Sequence, residues 1–177
     1  KFNIDDVVDH LCKKLIERHP HVFGEEKAQS AEEVLKNWEK RKLEKRSSVL
    51  EGVPKAMPAL MRAEKLQKKA SKVGFDWSDI SQVEEKVKEE WNEFWQALKE
   101  GDREKIEHEF GDLLFALVNL ARFLKIDPEE ALQKANERFI KRFSYIEQKV
   151  KESGKRWEDF TLEELDRLWE EAKKRNL

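Results

Sequence analysis

The sequence predicts an all-α protein, a four-helix-bundle-like core domain with additional N-terminal helices and a C-terminal helix. Three observations lead there. Apolar residues recur at helical spacing over long stretches, and no segment alternates convincingly as a strand. Only 6 glycines and 4 prolines interrupt the 177 residues, so structural breaks are few. Charged residues make up 42% of the chain, dominated by Glu and Lys, the composition of solvated helix faces.

The elements follow in order. Asp5 to Arg18 forms a first helix, with Val7, Val8, Leu11, Leu15 and Ile16 as its apolar stripe; Cys12 shares that spacing and reads as a core residue. His19-Pro20-His21 ends it as a structural turn. Ser30-x-x-Glu33 is a capping box opening a second helix, from Ala31 to about Arg46, exposed on one side. Residues 47–58, with Gly52, Pro54 and Pro58, read as a linker. Ala59 to Val73 is helical and stops at Gly74, followed by the tight connector Phe75-Asp76-Trp77. Ser81-x-x-Glu84 opens a helix running to Glu100, which Gly101-Asp102 breaks before another from Arg103 to Leu124. Asp127-Pro128-Glu129-Glu130 supplies a cap, a proline at the first helical position and an acid at the third, opening a helix to Ser153. Thr161-x-x-Glu164 caps the last helix, which carries Leu165, Leu168 and Trp169. Four consecutive helices with short connections, residues 59–153, make a bundle.

Composition excludes several classes of function. Acids and bases nearly cancel, at net charge −2, so the basic surplus of a general nucleic-acid binder is missing. A single cysteine permits no intrachain disulfide and no zinc-binding cysteine motif. No apolar run approaches membrane-spanning length, and a cytoplasmic protein without membrane contact is the default expectation. The chain opens on Lys1, just ahead of a helical pattern, as a fragment would. A faint internal repeat sets Ile4-Asp5-Asp6 beside Pro128-Glu129-Glu130, and Lys14, Leu15 and Arg18 beside Arg138, Phe139 and Arg142. Residues 1–46 then read as the helical remnant of an earlier copy, 47–58 as linker and 59–177 as the catalytic domain.

Chemistry concentrates in two acidic pairs, Glu90-x-x-Glu93 and Glu109-x-x-Asp112, the second running directly into the apolar stretch Leu113 to Leu120. Spacing of three places both carboxylates of a pair on one helix face. Brought together, the pairs repel by up to ~4 kcal/mol per close contact, which a hard divalent cation relieves. Oxygen-only ligands favour Mg²⁺, or Mn²⁺, over zinc. Val83, Val87, Trp91, Phe94 and Leu98 trace the core stripe of the first helix, with Lys86, Glu90 and Glu93 beside it. Ile106, Phe110, Leu113, Leu117, Leu120 and Leu124 trace that of the second, with Glu109, Asp112, Ala116 and Asn119 beside it. Glu89 stands one position off and fits either a supporting or a bridging role. Such pairs also arise on plain solvated faces, and the apolar surroundings of Glu109/Asp112 are what raise it above that reading. Lys134, Arg138 and Arg142 recur every four residues, either as a solvated ridge paired with neighbouring acids or as a phosphate clamp facing the metal. Trp77 and Trp169 are candidates for stacking on a base, although most tryptophans are core or interface anchors. A di-iron carboxylate bundle would require a Glu-x-x-His pair, which the sequence lacks. A non-catalytic helical interaction or dimerisation module is the alternative to an enzyme.

Glu89-Glu90-x-x-Glu93 followed by Glu109-x-x-Asp112 resembles the metal signature of MazG-type nucleoside triphosphate pyrophosphohydrolases. Val73-Gly74-Phe75-Asp76-Trp77, Gly111 to Ala116, Val118-Asn119-Leu120-Ala121-Arg122 and Ala135-Asn136 resemble the second domain of the tandem family pattern. Arg18-His19-Pro20-His21-Val22-Phe23-Gly24 resembles the end of the first, whose carboxylate half is missing here. The resemblance implies Mg²⁺-dependent hydrolysis of NTP or dNTP to the monophosphate and pyrophosphate, usually by a homodimer. It assigns metal ligation to Glu90, Glu93, Glu109 and Asp112, and nucleotide contacts to Lys86, Glu89, Arg138, Arg142 and Trp169. Proton abstraction from the attacking water falls to Glu89 or Glu90. The family often has Lys at the position of Arg138, which preserves charge and alters phosphate geometry.

Overall fold

The computed structural model describes residues 2–18, 20–23, 48–175 and 177, and every regular element among them is helical. The chain divides into two compact units, Lys1–Val53 and Pro54–Leu177. The first contains α1 (Ile4–Arg18) and the short α2 (Pro20–Phe23). The second contains α3 (Ala59–Ser71), α4 (Ile80–Glu100), α5 (Arg103–Phe123), α6 (Pro128–Ser153), a single 3₁₀ turn (Trp157–Asp159) and α7 (Leu162–Lys174). The division falls within the 47–58 segment. The helix expected from Ala31 to Arg46, with its Ser30/Glu33 cap, lies outside the described residues.

Polar residues start and stop the helices of the second unit. Asp79, not Ser81, caps α4: its carboxylate accepts from the backbone N–H groups of Ser81 and Gln82, so the helix opens at Ile80. Asp102 caps α5 and Asp127 caps α6 in the same way. Thr161 and Glu164 form the expected reciprocal box on α7. Gly101 closes α4 at φ 76°, a left-handed conformation that glycine adopts without a Cβ clash, and the chain reverses directly into α5. In the first unit Asn3 and Asp6 exchange backbone-to-side-chain hydrogen bonds of 2.9 and 2.8 Å, capping α1 in the register in which Asp127 caps α6.

α5 is the axis of the second unit. It packs along α4 and also meets α3 and α6, while α7 folds back onto α6. Gln67 of α3 ties to the middle of α5, its Nε2 donating to the Phe115 carbonyl at 2.9 Å. Val83, Ala97, Leu113, Ala116 and Val118 are buried along α4 and α5; Tyr145, Ile146, Val150 and Ala172 are buried between α6 and α7. A ring ladder continues that contact, with Phe139 5.4 Å from Trp169 and Phe143 stacked on Trp157 at 5.7 Å.

The core is narrower than the apolar stripes suggest. Trp91 is 50% exposed, Phe110 48% and Leu117 43%, because α4 and α5 form a two-helix layer with one apolar side uncovered in the single chain. Cys12 is exposed rather than buried, as are Val8 and Leu15 on the same helix.

Candidate active site

The reversal at Gly101-Asp102 sets α4 and α5 antiparallel, which brings Glu90 of α4 level with Glu109 and Asp112 of α5. One carboxylate oxygen from each of these three residues lies within 4.8 Å of the others. Glu90 is buried, with only 9% of its side-chain surface exposed. A buried carboxylate needs compensation, and Lys86, one turn earlier on α4, supplies part of it. The Lys86 Nζ lies 2.8 Å from Glu90 Oε1 and 2.7 Å from Glu89 Oε1. Hydrogen bonds to Glu89 and then Glu90 hold this ammonium well above the ordinary lysine range, so it stays charged. On the solvent side, His108 Nε2 approaches Asp112 Oδ2 at 3.3 Å. A single cation leaves three clustered carboxylates with charge to spare, an arrangement that fits a hard divalent ion held by oxygen donors.

The remaining residues singled out from the sequence lie around this group. Glu93 is exposed on α4, one turn beyond Glu90, and does not join the three-carboxylate group. Glu89 is exposed and tied to Lys86. On α6, Lys134 pairs with Glu130 at 2.6 Å, the neighbouring-acid arrangement of a solvated ridge. Arg138 is exposed and has no hydrogen bond or ion pair among the described residues. Arg142 is half-buried: its Nε donates to the Leu177 carbonyl at 2.8 Å, and its guanidinium lies 5.6 Å above the Trp169 ring. The structure therefore joins Arg142 to Trp169, and joins neither to the carboxylates.

One feature of this region is not legible in local spacing. Arg122, near the end of α5, donates from both terminal nitrogens to Asp76, at 2.9 and 2.5 Å. The side chains are 12% and 28% exposed. The guanidinium hydrogen bond holds the Asp76 carboxyl below the usual carboxylate range. The same guanidinium donates to Asn119 Oδ1 at 3.1 and 2.8 Å. The α3–α4 connector is thereby pinned to α5.

The family model for the MazG nucleotide pyrophosphohydrolase domain matches residues 1–23 and 79–146, the second stretch spanning all three clustered carboxylates. The chain is 41% identical over 184 residues to the nucleoside triphosphate pyrophosphohydrolase of Escherichia coli K12, covering 100% of this chain and 70% of that protein. It is 44% identical over 176 residues to the Thermotoga maritima nucleoside triphosphate pyrophosphohydrolase/pyrophosphatase MazG, covering 97% and 66%. It is 53% identical over 177 residues to Bacillus subtilis YabN, covering 97% of this chain and 36% of that one. On the matched domain and on relatives aligned along its whole length, the chain belongs to the MazG nucleotide pyrophosphohydrolase family.

Proposed function

We propose that this chain hydrolyses nucleoside triphosphates, NTP or dNTP, to the monophosphate and pyrophosphate, with Mg²⁺ as cofactor and Mn²⁺ as a substitute. The observation that carries the reading is the convergence of Glu90, Glu109 and Asp112 within 4.8 Å, beside the Lys86 ammonium 2.8 Å from Glu90, in a member of this family. Glu90, Glu109 and Asp112 would hold the ion, with Glu93 as the fourth ligand that the family resemblance assigns. Such an ion supplies Lewis acidity and charge neutralisation to the polyphosphate. Lys86 offsets negative charge that develops on the phosphates. Glu89 or Glu90 takes the proton of the attacking water. Arg138 and Arg142 bind phosphate oxygens, and Trp169, already under the Arg142 guanidinium, completes the nucleotide contacts.

Two features support a homodimer. The α4/α5 layer leaves Trp91, Trp95, Phe110, Leu114 and Leu117 each more than 40% exposed, an apolar surface large for a monomer. The three carboxylates and the α6 arginines are not joined within one chain, and a second copy against α4/α5 would enclose the metal group. A monomeric mass in solution would contradict this. The cytoplasm is the proposed location, which fractionation of cells would test; no helix among the described residues is long and apolar enough to cross a membrane. Residues 1–46 are proposed as the remnant of a first copy, supported by the shared cap register of α1 and α6 and by the separate family match at residues 1–23.

The test is product analysis. Incubation with a panel of triphosphates and Mg²⁺ should release monophosphate and pyrophosphate in equal amounts, and chelation should stop it. Orthophosphate and diphosphate as products, or no turnover of any triphosphate, would overturn the proposal, the latter in favour of a non-catalytic interaction module.

A further inference from the structure

The geometry points to Asn119 as a residue that reads the nucleoside part of the substrate, held in position by Arg122 and Asp76; this rests on the proposed triphosphate hydrolysis. Asn119 lies on the stripe of α5 that carries Asp112, two turns further along and about 10 Å away by helical rise. Between them stands Ala116, small and buried, so no long side chain of that stripe intervenes. Antiparallel pairing sets Lys86 of α4 alongside this gap. The Lys86 ammonium lies against the carboxylate group, 2.8 Å from Glu90 Oε1, and Asn119 follows two turns along α5 from Asp112. A triphosphate whose phosphates engage the carboxylate group and Lys86 would extend its sugar and base toward Asn119.

The hydrogen bonds define which end of the Asn119 amide is available. Arg122 donates to Oδ1 from Nε and from a terminal nitrogen, at 3.1 and 2.8 Å. A guanidinium has only donors, so it must face the amide oxygen. The amide NH₂ then points away from Arg122, and it has no partner among the described residues. Asp76 holds Arg122 through two further bonds, so the orientation is fixed before substrate arrives. A half-buried amide presenting two donors calls for an acceptor, which a nucleoside offers as a base carbonyl or a sugar hydroxyl. In this arrangement Arg122 and Asp76 are positioning residues, and neither touches substrate.

Asn119→Asp separates a substrate contact from a structural one. The variant keeps an acceptor for Arg122, and strengthens it by charge, while deleting both donors. A merely structural Asn119 would leave kinetics unchanged. A nucleoside contact predicts a KM for the triphosphate raised about tenfold or more, kcat within about twofold, and melting temperature unchanged or higher. Inhibition by inorganic tripolyphosphate, which has no nucleoside, should be unaffected. Loss with ribo- but not deoxyribonucleotides identifies the 2′-hydroxyl as the acceptor, loss that follows the base identifies the carbonyl, and equal loss with every nucleotide identifies the 3′-hydroxyl. If Asn119→Asp does not fold, Asn119→Ala should show the same split between triphosphate KM and tripolyphosphate inhibition. An active wild type with an unchanged variant KM, or equal weakening of nucleotide and tripolyphosphate, overturns this inference alone. A wild type that releases no pyrophosphate overturns the underlying reading with it.

Discussion

Asp112→Asn should make the metal-free protein more stable and the Mg²⁺-loaded protein less so. Asp112 has an oxygen within 4.8 Å of one on Glu90 and one on Glu109. At an effective dielectric near 20, a pair at that 4.8 Å limit repels by about 3.5 kcal/mol, and a closer pair by more. Two effects reduce this. The Asp112 side chain is 47% exposed, so water screens it, and Lys86 already neutralises much of Glu90. Relief on neutralising Asp112 is then about 0.5–1 kcal/mol, a rise in metal-free melting temperature of about 1–4 °C for a chain of this size. Mg²⁺ at a hundred times its dissociation constant stabilises the wild type by about 2.7 kcal/mol, or about 5–10 °C. The variant should lose most of that increment. Thermal melts in chelator and across a Mg²⁺ titration measure both effects. A metal-free variant that melts below wild type, or an equal Mg²⁺ increment in both proteins, would refute the reasoning.

Three further outcomes follow from the geometry. Asp76 has a lowered pKa because of its hydrogen bond with Arg122, so its contribution to stability is complete above pH ~4 and is lost as pH falls through the lowered folded value; Asp76→Asn should cost about 1–3 kcal/mol at neutral pH and flatten the acid limb of denaturation, and an unchanged acid limb would contradict this. Arg142→Ala should raise the KM for triphosphates and also cost about 1–2 kcal/mol, since it removes the Leu177 hydrogen bond and the Trp169 contact; stability loss without a kinetic effect would assign Arg142 a structural role only. A fragment of residues 54–177 should retain Mg²⁺-dependent hydrolysis, and a folded but inactive fragment would show that the first unit contributes to the site directly.

Helix boundaries were legible where a polar cap or a glycine marks them. Pro128 to Ser153 is bounded by Asp127 and Gly154, and the helix spans those residues. The start of α4 was less so, because Asp79 and Ser81 both suit a cap and the carboxylate takes the role. Short elements such as Pro20–Phe23 and the Trp157–Asp159 turn carry too few residues for periodicity to register. Within the site, spacing identified which acids share a helix face and the tight reversal implied that two faces meet, which groups Glu90, Glu93, Glu109 and Asp112; the structure draws Glu90, Glu109 and Asp112 together, and spacing alone does not separate Glu93 from them. Contacts between distant segments could not. Nothing local pairs Asp76 with Arg122, or Arg142 with the carbonyl of Leu177. Apolar periodicity likewise marks the face of Trp91 and Phe110 that avoids water without saying whether its cover comes from the same chain.

The central claim is that the clustered carboxylates support hydrolysis, and Glu90 is its most sensitive point because it is the buried member of the group and the partner of Lys86. The most direct test is the initial rate of Mg²⁺-dependent pyrophosphate release by wild type and Glu90→Gln, with far-UV circular dichroism to confirm that both are folded. The account predicts a fall in kcat of about 100-fold or more with helicity retained. A folded Glu90→Gln protein that releases pyrophosphate at a near-normal rate would contradict it.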